Sequence, residues 1–236
     1  MSASYATSPA AFVITSNNPQ DNISAEPAGD FLKLVVIIMA EDADAWAIST
    51  MQVGGRNATT IFAAVDTSEA TQESRIRAFE WDQTDIDLMS GVAITYADGS
   101  FINPMAITHY WVENCDQDPS TQTSDTIITT DSLSALTIAA VSVAGDLVVG
   151  AVVASDDIWD VNDWDTLSED RKDVSDTNIS LDIGSSVVTN DTSHLIDLNG
   201  TNVRAAGIIL VHKQLLAGGK ESVGRGVGRG IGRGIM

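Results

Sequence analysis

Acidic side chains crowd the segment from 155 to 176, which carries nine carboxylates and two of the five tryptophans. Carboxylate and amide oxygens are the ligands that calcium prefers in proteins. An EF-hand starting at Asp160 would need an oxygen ligand fifth, Gly sixth and Glu twelfth, where this chain has Trp164, Asp165 and Arg171. The pattern excludes an EF-hand and leaves either solvated turn acids or an irregular calcium site. The carboxylates of such a site would be Asp160, Asp163 and Asp165.

Two tryptophans give the same segment the chemistry of a recognition loop. Trp159 and Trp164 stand among polar residues in a chain whose aromatic content is only 6%. An exposed indole offers a flat apolar face to a sugar ring, and tryptophan is also enriched at protein interfaces. We therefore consider this segment a ligand or interface loop, with a surface glycan or another subunit as its partner. Its residues are Asp157, Trp159, Asp160, Asn162 and Trp164.

The residue types that serve most often in catalysis show no arrangement that indicates a reaction. His109, His194 and His212 lack the spacing of metal ligands. Cys115 is the only cysteine, no thiol-nucleophile motif surrounds it, and no Gly-x-Ser-x-Gly elbow occurs. We predict structural roles for these side chains, no catalytic residues, no cofactor other than the calcium considered above, and a non-enzymatic protein.

The C-terminal segment 214–236 contains three copies of a four-residue unit, Gly-Arg-Gly followed by Val or Ile. Half of the repeat is Gly, which excludes a stable helix. In an extended chain the arginines and the apolar residues fall on one face, because side chains alternate between two faces. We expect this face to dock on an acidic, partly apolar protein surface. Its residues are Arg225, Val227, Arg229, Ile231, Arg233 and Ile235.

Two other interpretations of this tail stay open. Gly-rich chain ends are often flexible, so the segment could act only as a solubilising tail. Gly-Arg repeats also contact single-stranded nucleic acid, although here only three arginines are present and no aromatic residue is interleaved.

Net charge divides the chain into two parts of opposite sign. The whole chain has a formal charge of -21, but residues 1–213 hold 8 basic and 32 acidic side chains and residues 214–236 hold four basic and one acidic. A body of charge -24 lacks the clustered Lys and Arg that phosphate contacts need, and it is repelled by anionic membrane surfaces. Nucleic acid and membrane are therefore excluded as partners of the body.

The chain also lacks the sequence features of export or membrane insertion. Its longest strongly apolar run, Leu34 to Ala40, is too short to span a bilayer. The first basic residue is Lys33, so no charged region of a signal peptide precedes it. A single cysteine excludes an intrachain disulfide framework. We expect a protein that is made in a cytoplasm.

The elements that must position these residues are short strands. About ten to twelve runs rich in Val, Ile and Thr are separated by turn residues, and no apolar period of 3.6 residues is sustained. Gly54-Gly55 between two such runs predicts a hairpin, because glycine accepts positive φ freely. Residues 1–10 are predicted as an arm, and residues 115–125 and 155–176 as loops.

The pattern predicts an all-β protein, an antiparallel β-sandwich with a terminal extension at each end. We divide it into an arm and first strand at 1–27, a sandwich domain at 28–213 and an extended basic Gly-rich tail at 214–236. A faint internal echo links Ala28-Gly29-Asp30 and Ala144-Gly145-Asp146, each of which precedes a buried strand and an acidic, Trp-bearing segment. Two facing Greek-key halves would produce this echo, as would chance and common turn chemistry.

The strand openings resemble those of jelly-roll β-sandwich modules in the structural proteins of tailed phages and in some bacterial surface proteins. The segments that carry the resemblance are Gly29-Asp30-Phe31-Leu32, Glu41-Asp42-Ala43-Asp44, Met51-Gln52-Val53-Gly54-Gly55, Gly145-Asp146-Leu147-Val148-Val149 and Arg204-Ala205-Ala206-Gly207-Ile208-Ile209. The resemblance implies a virion or surface role and a jelly-roll topology, and it assigns no catalytic residue.

We therefore expect a virion structural protein that decorates the capsid or forms part of the tail or fibre. It would form a homo-oligomer and contact other virion proteins through sandwich packing and its terminal segments. The alternative is a carbohydrate-binding adhesin module that uses Trp159 and Trp164.

Overall fold

The fold is almost entirely β-structure. The computed structural model describes residues 2–10, 13–15, 23–42, 50–65, 73–96, 105–128, 134–154, 167–175, 179–190, 192–200 and 204–216. These described ranges form sixteen strands and one short helix, and every strand pair among them is antiparallel. The predicted all-β antiparallel sandwich class is confirmed.

The first sheet has the order β1-β9-β3-β7-β6, and β2 also pairs with β9. Its central strand runs from Lys33 to Asp42, and between Leu34 and Ile38 it places large buried apolar residues on both faces, as expected for a strand covered on both sides. Its strands are β1 (Ser4–Thr7), β2 (Val13–Thr15), β3 (Lys33–Asp42), β6 (Thr60–Val65), β7 (Glu73–Trp81) and β9 (Met105–Glu113).

The second sheet has the order β10-β16-β12-β14-β13. Its central strand is again rich in valine and is buried from Leu147 to Val153. Its strands are β10 (Thr121–Ile128), β12 (Leu147–Ala154), β13 (Ser168–Ser175), β14 (Ile179–Val187) and β16 (Arg204–His212).

The two sheets face each other and share one apolar core. In β3, Val35 and Ile37 point into this core, and in β12, Val149 and Ala151 meet them from the opposite sheet. Side chains alternate along a strand, so the intervening residues point outward, where they need a second cover. The protein is therefore a sandwich in which the central strands of both sheets are buried on both faces.

Smaller elements supply the two outer covers. A three-stranded sheet of β4 (Met51–Val53), β5 (Arg56–Asn57) and β8 (Ile94–Tyr96), with the helix α1 (Gln83–Ile86), packs on the outer face of the first sheet. A two-stranded ribbon of β11 (Ser134–Ser142) and β15 (Thr192–Gly200) covers the second sheet. Trp81 of β7 and Trp111 of β9 lie buried between the first sheet and its outer cover.

The internal echo has a structural counterpart. Each Gly-Asp turn of the echo precedes the central strand of one sheet, β3 in the first and β12 in the second. Both strands are third in their sheet order, and their inward side chains belong to one cluster. The predicted hairpin at Gly54-Gly55 is also confirmed, since both residues have positive φ and join β4 to β5.

Other parts of the predicted strand pattern are wrong. Residues 1–10 were expected to form an arm, but they contain β1, which pairs with β9, and Ala3 is fully buried. The predicted loop at 115–125 already contains the start of β10, and the predicted acidic loop at 155–176 contains β13. The strand β15 was not predicted. β10 and β13 are the edge strands of the second sheet, and edge strands tolerate polar and charged residues, which hides them from an apolar pattern.

No helix within the described ranges is long and apolar enough to cross a membrane.

Candidate functional site

The predicted interaction residues lie outside the part of the chain that the structure describes. This holds for the recognition loop and calcium candidates Asp157, Trp159, Asp160, Asn162, Asp163, Trp164 and Asp165. It holds equally for the tail residues Arg225, Val227, Arg229, Ile231, Arg233 and Ile235. These assignments remain predictions.

A polar cluster lies between the two sheets, in a core that is otherwise apolar. Lys33 starts β3, Glu80 lies near the end of β7, and Tyr110 lies in β9 of the same sheet. The opposite sheet contributes His212, the last residue of β16, and Ser120 precedes β10. All five side chains are buried; strand alternation turns Lys33, Glu80, Tyr110 and His212 inward, and Ser120 lies just before β10.

Hydrogen bonds join these five residues into a continuous chain. Tyr110 Oη lies 3.0 Å from His212 Nε2, and Ser120 Oγ lies 2.7 Å from His212 Nδ1. Ser120 Oγ also lies 2.7 Å from Glu80 Oε1, and the Ser120 amide donates to Oε2 at 3.2 Å. Lys33 Nζ completes the chain at 2.8 Å from Glu80 Oε1 and also donates to the backbone oxygen of Asp118.

The chemistry of the partners fixes where each proton lies. An ionised carboxylate only accepts, so the single Ser120 hydroxyl proton must point to Glu80. His212 Nδ1 must then donate to Ser120 Oγ, and its Nε2 accepts from the Tyr110 hydroxyl. The network is satisfied by a neutral His212 with its proton on Nδ1 and by a Lys33–Glu80 ion pair.

Burial and neighbouring charges shift the pKa values of His212 and Glu80 in directions that agree with this proton arrangement. Desolvation lowers the pKa of His212 to about 4, against the opposing attraction of Glu80, so the ring is neutral at pH 7. Burial alone would raise the pKa of Glu80, but this pKa stays below its usual value because of the charge that His212 gains only in acid, the charge of Lys33, and hydrogen bonds from Lys33 and Ser120. The core therefore holds one compensated ion pair.

This arrangement differs from that of a hydrolytic triad. In a triad the histidine lies between the acid and the nucleophile, so that it can accept the proton of the hydroxyl. Here Ser120 lies between Glu80 and His212, and its proton is already committed to the carboxylate. His212 has 0% of its surface exposed and Glu80 2%, so no substrate reaches them. The geometry supports a structural role in aligning the two sheets.

The other reactive side chains predicted to be structural are also held in the fold. Cys115 is buried, and desolvation raises the pKa of its thiol to about 12, which keeps it protonated. His109 Nε2 accepts from the Ser24 amide at 2.9 Å, and burial lowers the pKa of its ring. His194 is buried, with Nε2 2.6 Å from Ser142 Oγ. Within the described ranges, no three His, Cys, Asp or Glu residues are grouped to hold a metal ion.

A surface groove of about 220 Å³ opens at one end of the second sheet. We call it the terminal groove. Val141 and Val143, at the end of β11 and just after it, expose 76% and 48% of their surfaces there, and Leu216 exposes 67%. Asp116 and Lys213 also contribute to its lining. Large apolar side chains exposed in one contiguous patch are typical of interaction surfaces.

The chain that forms the rim of this groove is firmly attached to the body. Asp146 is buried, and its carboxylate accepts from the amides of Val143 and Gln214, both at 3.0 Å. The Leu215 amide donates to the backbone oxygen of Asn114 at 2.9 Å. These bonds tie the segment after β16 to the turn before β12 and place Leu216 on the groove.

The sequence contained only partial signals for the terminal groove and for the buried polar cluster. Asp146 and the apolar residues of β11 belonged to predicted elements, but the groove unites segments that are far apart in the chain. Lys33 directly precedes the apolar run Leu34–Ala40, whereas Glu80 is one of four charged residues in β7, so the sequence offers no clear signal that these two charges form a buried pair.

Comparison with protein-family models, curated proteins and solved structures yields no match to this chain.

Proposed function

We propose that this protein is a non-enzymatic structural component of a tailed-phage virion, which decorates the capsid or forms part of the tail or fibre. It assembles as a homo-oligomer and through contacts with other virion proteins. The proposal follows the resemblance of its strand openings to jelly-roll modules. A sandwich with an outer cover on each sheet is compatible with a structural building block.

The terminal groove is the observation that carries the assembly role. Val141, Val143 and Leu216 form an exposed apolar rim on a rigid sheet end, where another protein surface could bury them. The groups with catalytic chemistry, Glu80, Ser120 and His212, are sealed between the sheets. Contact chemistry is therefore accessible at the surface, whereas reaction chemistry in this cluster is not.

Deletion of residues 222–236 tests the assembly role. We expect the full chain to elute as a homo-oligomer in size-exclusion chromatography with light scattering, and the deletion variant to have a lower mass. Circular dichroism of both proteins is the control for folding. A full chain that stays monomeric at every concentration, or an oligomer unaffected by the deletion, would contradict assembly through the tail.

A further inference from the structure

We propose that the terminal groove is the receptor for the Gly-Arg tail of a second copy of this chain. The inference rests on the proposed assembly role and names the partner of the groove. Two observations on this molecule identify that partner: where the described chain ends, and how the chemistry of the tail matches the groove.

The described chain ends at the groove itself. Leu216 is the last described residue and lines the groove, and twenty residues follow it in the sequence. The eleven residue-to-residue steps from Leu216 to Val227 span at most about 40 Å when the chain is extended. This exceeds the radius of gyration of about 18 Å expected for a folded chain of this length, so the repeats can reach a neighbouring molecule.

The repeat matches the groove in apolar character. Val227, Ile231 and Ile235 recur on one face of an extended tail, and the groove offers Val141 and Val143 as apolar partners. The Gly residues on the opposite face add no side-chain bulk. Burial of exposed valine and isoleucine surface on both sides is favourable at about 25 cal/mol per Å².

Charge favours the same pairing. The tail has a charge of +3 and the body -24, and Asp116 lies in the groove lining. Two acidic bodies repel each other, so an arginine-bearing segment between them reduces the repulsion where the copies meet. The lining also contains Lys213, and the apolar contact is therefore the element that selects the site.

Exchange between two copies uses every groove and every tail. Each chain carries one of each, so a two-fold pair makes two identical tail–groove contacts. Once the first contact has formed, the second is intramolecular and gains from a high effective concentration. If each tail instead bound the groove of its own chain, these contacts would not connect the two copies.

Disulfide trapping between two variants tests the contact in the full chain. Val143→Cys and Ile231→Cys are made separately, one of them is labelled with ¹⁵N, and the mixture is oxidised gently. Val143 lies outside the core because it is exposed, Ile231 belongs to the tail sequence, and the native Cys115 is buried. Leu88→Cys replaces Val143→Cys in the control, because Leu88 is 58% exposed in the outer layer of the first sheet.

We expect mass spectrometry to find the 143–231 disulfide between labelled and unlabelled chains, several-fold above the Leu88 control. A link that forms only within one chain of a double variant would overturn the second-copy partner, and no link above the control would overturn the groove. Light scattering on the unmodified chain separates the two proposals. An oligomer without the link leaves assembly standing, whereas a monomer refutes assembly itself.

Discussion

His212 shows how a single residue can fix the state of a buried network. Its neutral ring accepts from Tyr110 and donates to Ser120, so one tautomer satisfies both neighbours. Protonation would add a second positive charge near Lys33 in a site without solvent, and Nε2 would lose its ability to accept. The network is therefore matched to one protonation state, and acid should break it.

We predict that His212 makes the stability of the protein depend on pH between about 6.5 and 4. The pKa of the folded state, about 4, is below the ordinary value of 6.5, so the unfolded chain binds the proton first as pH falls. The stabilisation is complete above pH 6.5 and is lost down to pH 4, by about 3 kcal/mol. Urea unfolding at a series of pH values measures this loss.

Carboxylates also titrate at the lower end of this range, so the contribution of His212 must be isolated. The control is His212→Gln, which removes the titrating ring and retains hydrogen-bonding atoms. We expect the variant to be less stable at pH 7 and to lose less stability than the original protein between pH 6.5 and 4. Equal losses in the two proteins would show that His212 does not control the response.

At the level of elements, the hairpin between β4 and β5 depends on one close approach. Gly54 has φ +53°, and a Cβ added there would lie 2.4 Å from the backbone oxygen of Gly91. Its amide also donates to the Ala93 oxygen at 3.0 Å, so the turn is attached to the segment before β8. This hairpin holds the small sheet on the outer face of the first sheet.

We predict that Gly54→Ala lowers the free energy of unfolding by roughly 1–3 kcal/mol, because it combines backbone strain with a clash against main chain. The matched control is Gly91→Ala on the opposite side of the contact, where an added Cβ meets nothing within 4 Å. Thermal melting of both variants makes the comparison. Equal melting temperatures for the two variants would refute the proposed close packing.

The sequence predicted those elements whose burial is continuous. The apolar run from Leu147 to Ala154, one of the runs that predict strands, forms β12 over its full length, because a central strand covered on both faces is apolar at almost every position. β13 was not predicted within the acidic segment, because its residues Ser168–Ser175 are mostly polar or charged. Among the described strands it pairs only with β14, at the edge of the sheet. β15 did carry a signal, since the buried residues His194 and Ile196 alternate with more exposed ones.

The buried hydrogen-bond network could not be predicted from local sequence patterns. Glu80 and Ser120 are forty residues apart, and Tyr110 and His212 are separated by 102. Local spacing carries no information on such pairs, because the sheet order that brings them together is set by long-range strand pairing. The terminal groove is a product of the same pairing, since it joins the end of β11 to the residues after β16.

On the scale of the whole molecule, the division of charge creates two opposing forces between copies. Bodies of charge -24 repel each other, whereas each tail carries +3 toward a neighbouring body. Salt screens both forces, with a Debye length of about 8 Å at physiological ionic strength. The salt dependence of assembly alone therefore cannot separate them, but a variant that removes only the tail charge can.

We predict that replacing Arg225, Arg229 and Arg233 with Gln weakens self-association most at low salt. Three exposed ion pairs at roughly 0.2–1 kcal/mol each amount to about a 3- to 150-fold change in Kd. The difference in Kd between the variant and the original chain should shrink toward zero near 1 M salt, because salt screens the ion pairs of the arginines. The repulsion between the bodies and the apolar contacts of Val227 and Ile231 are the same in both proteins. Analytical ultracentrifugation of both chains across salt concentrations measures the difference. A gap in Kd that persists at high salt would mean that the arginines act through specific packing, and no gap at low salt would mean that the tail charge has no part in assembly.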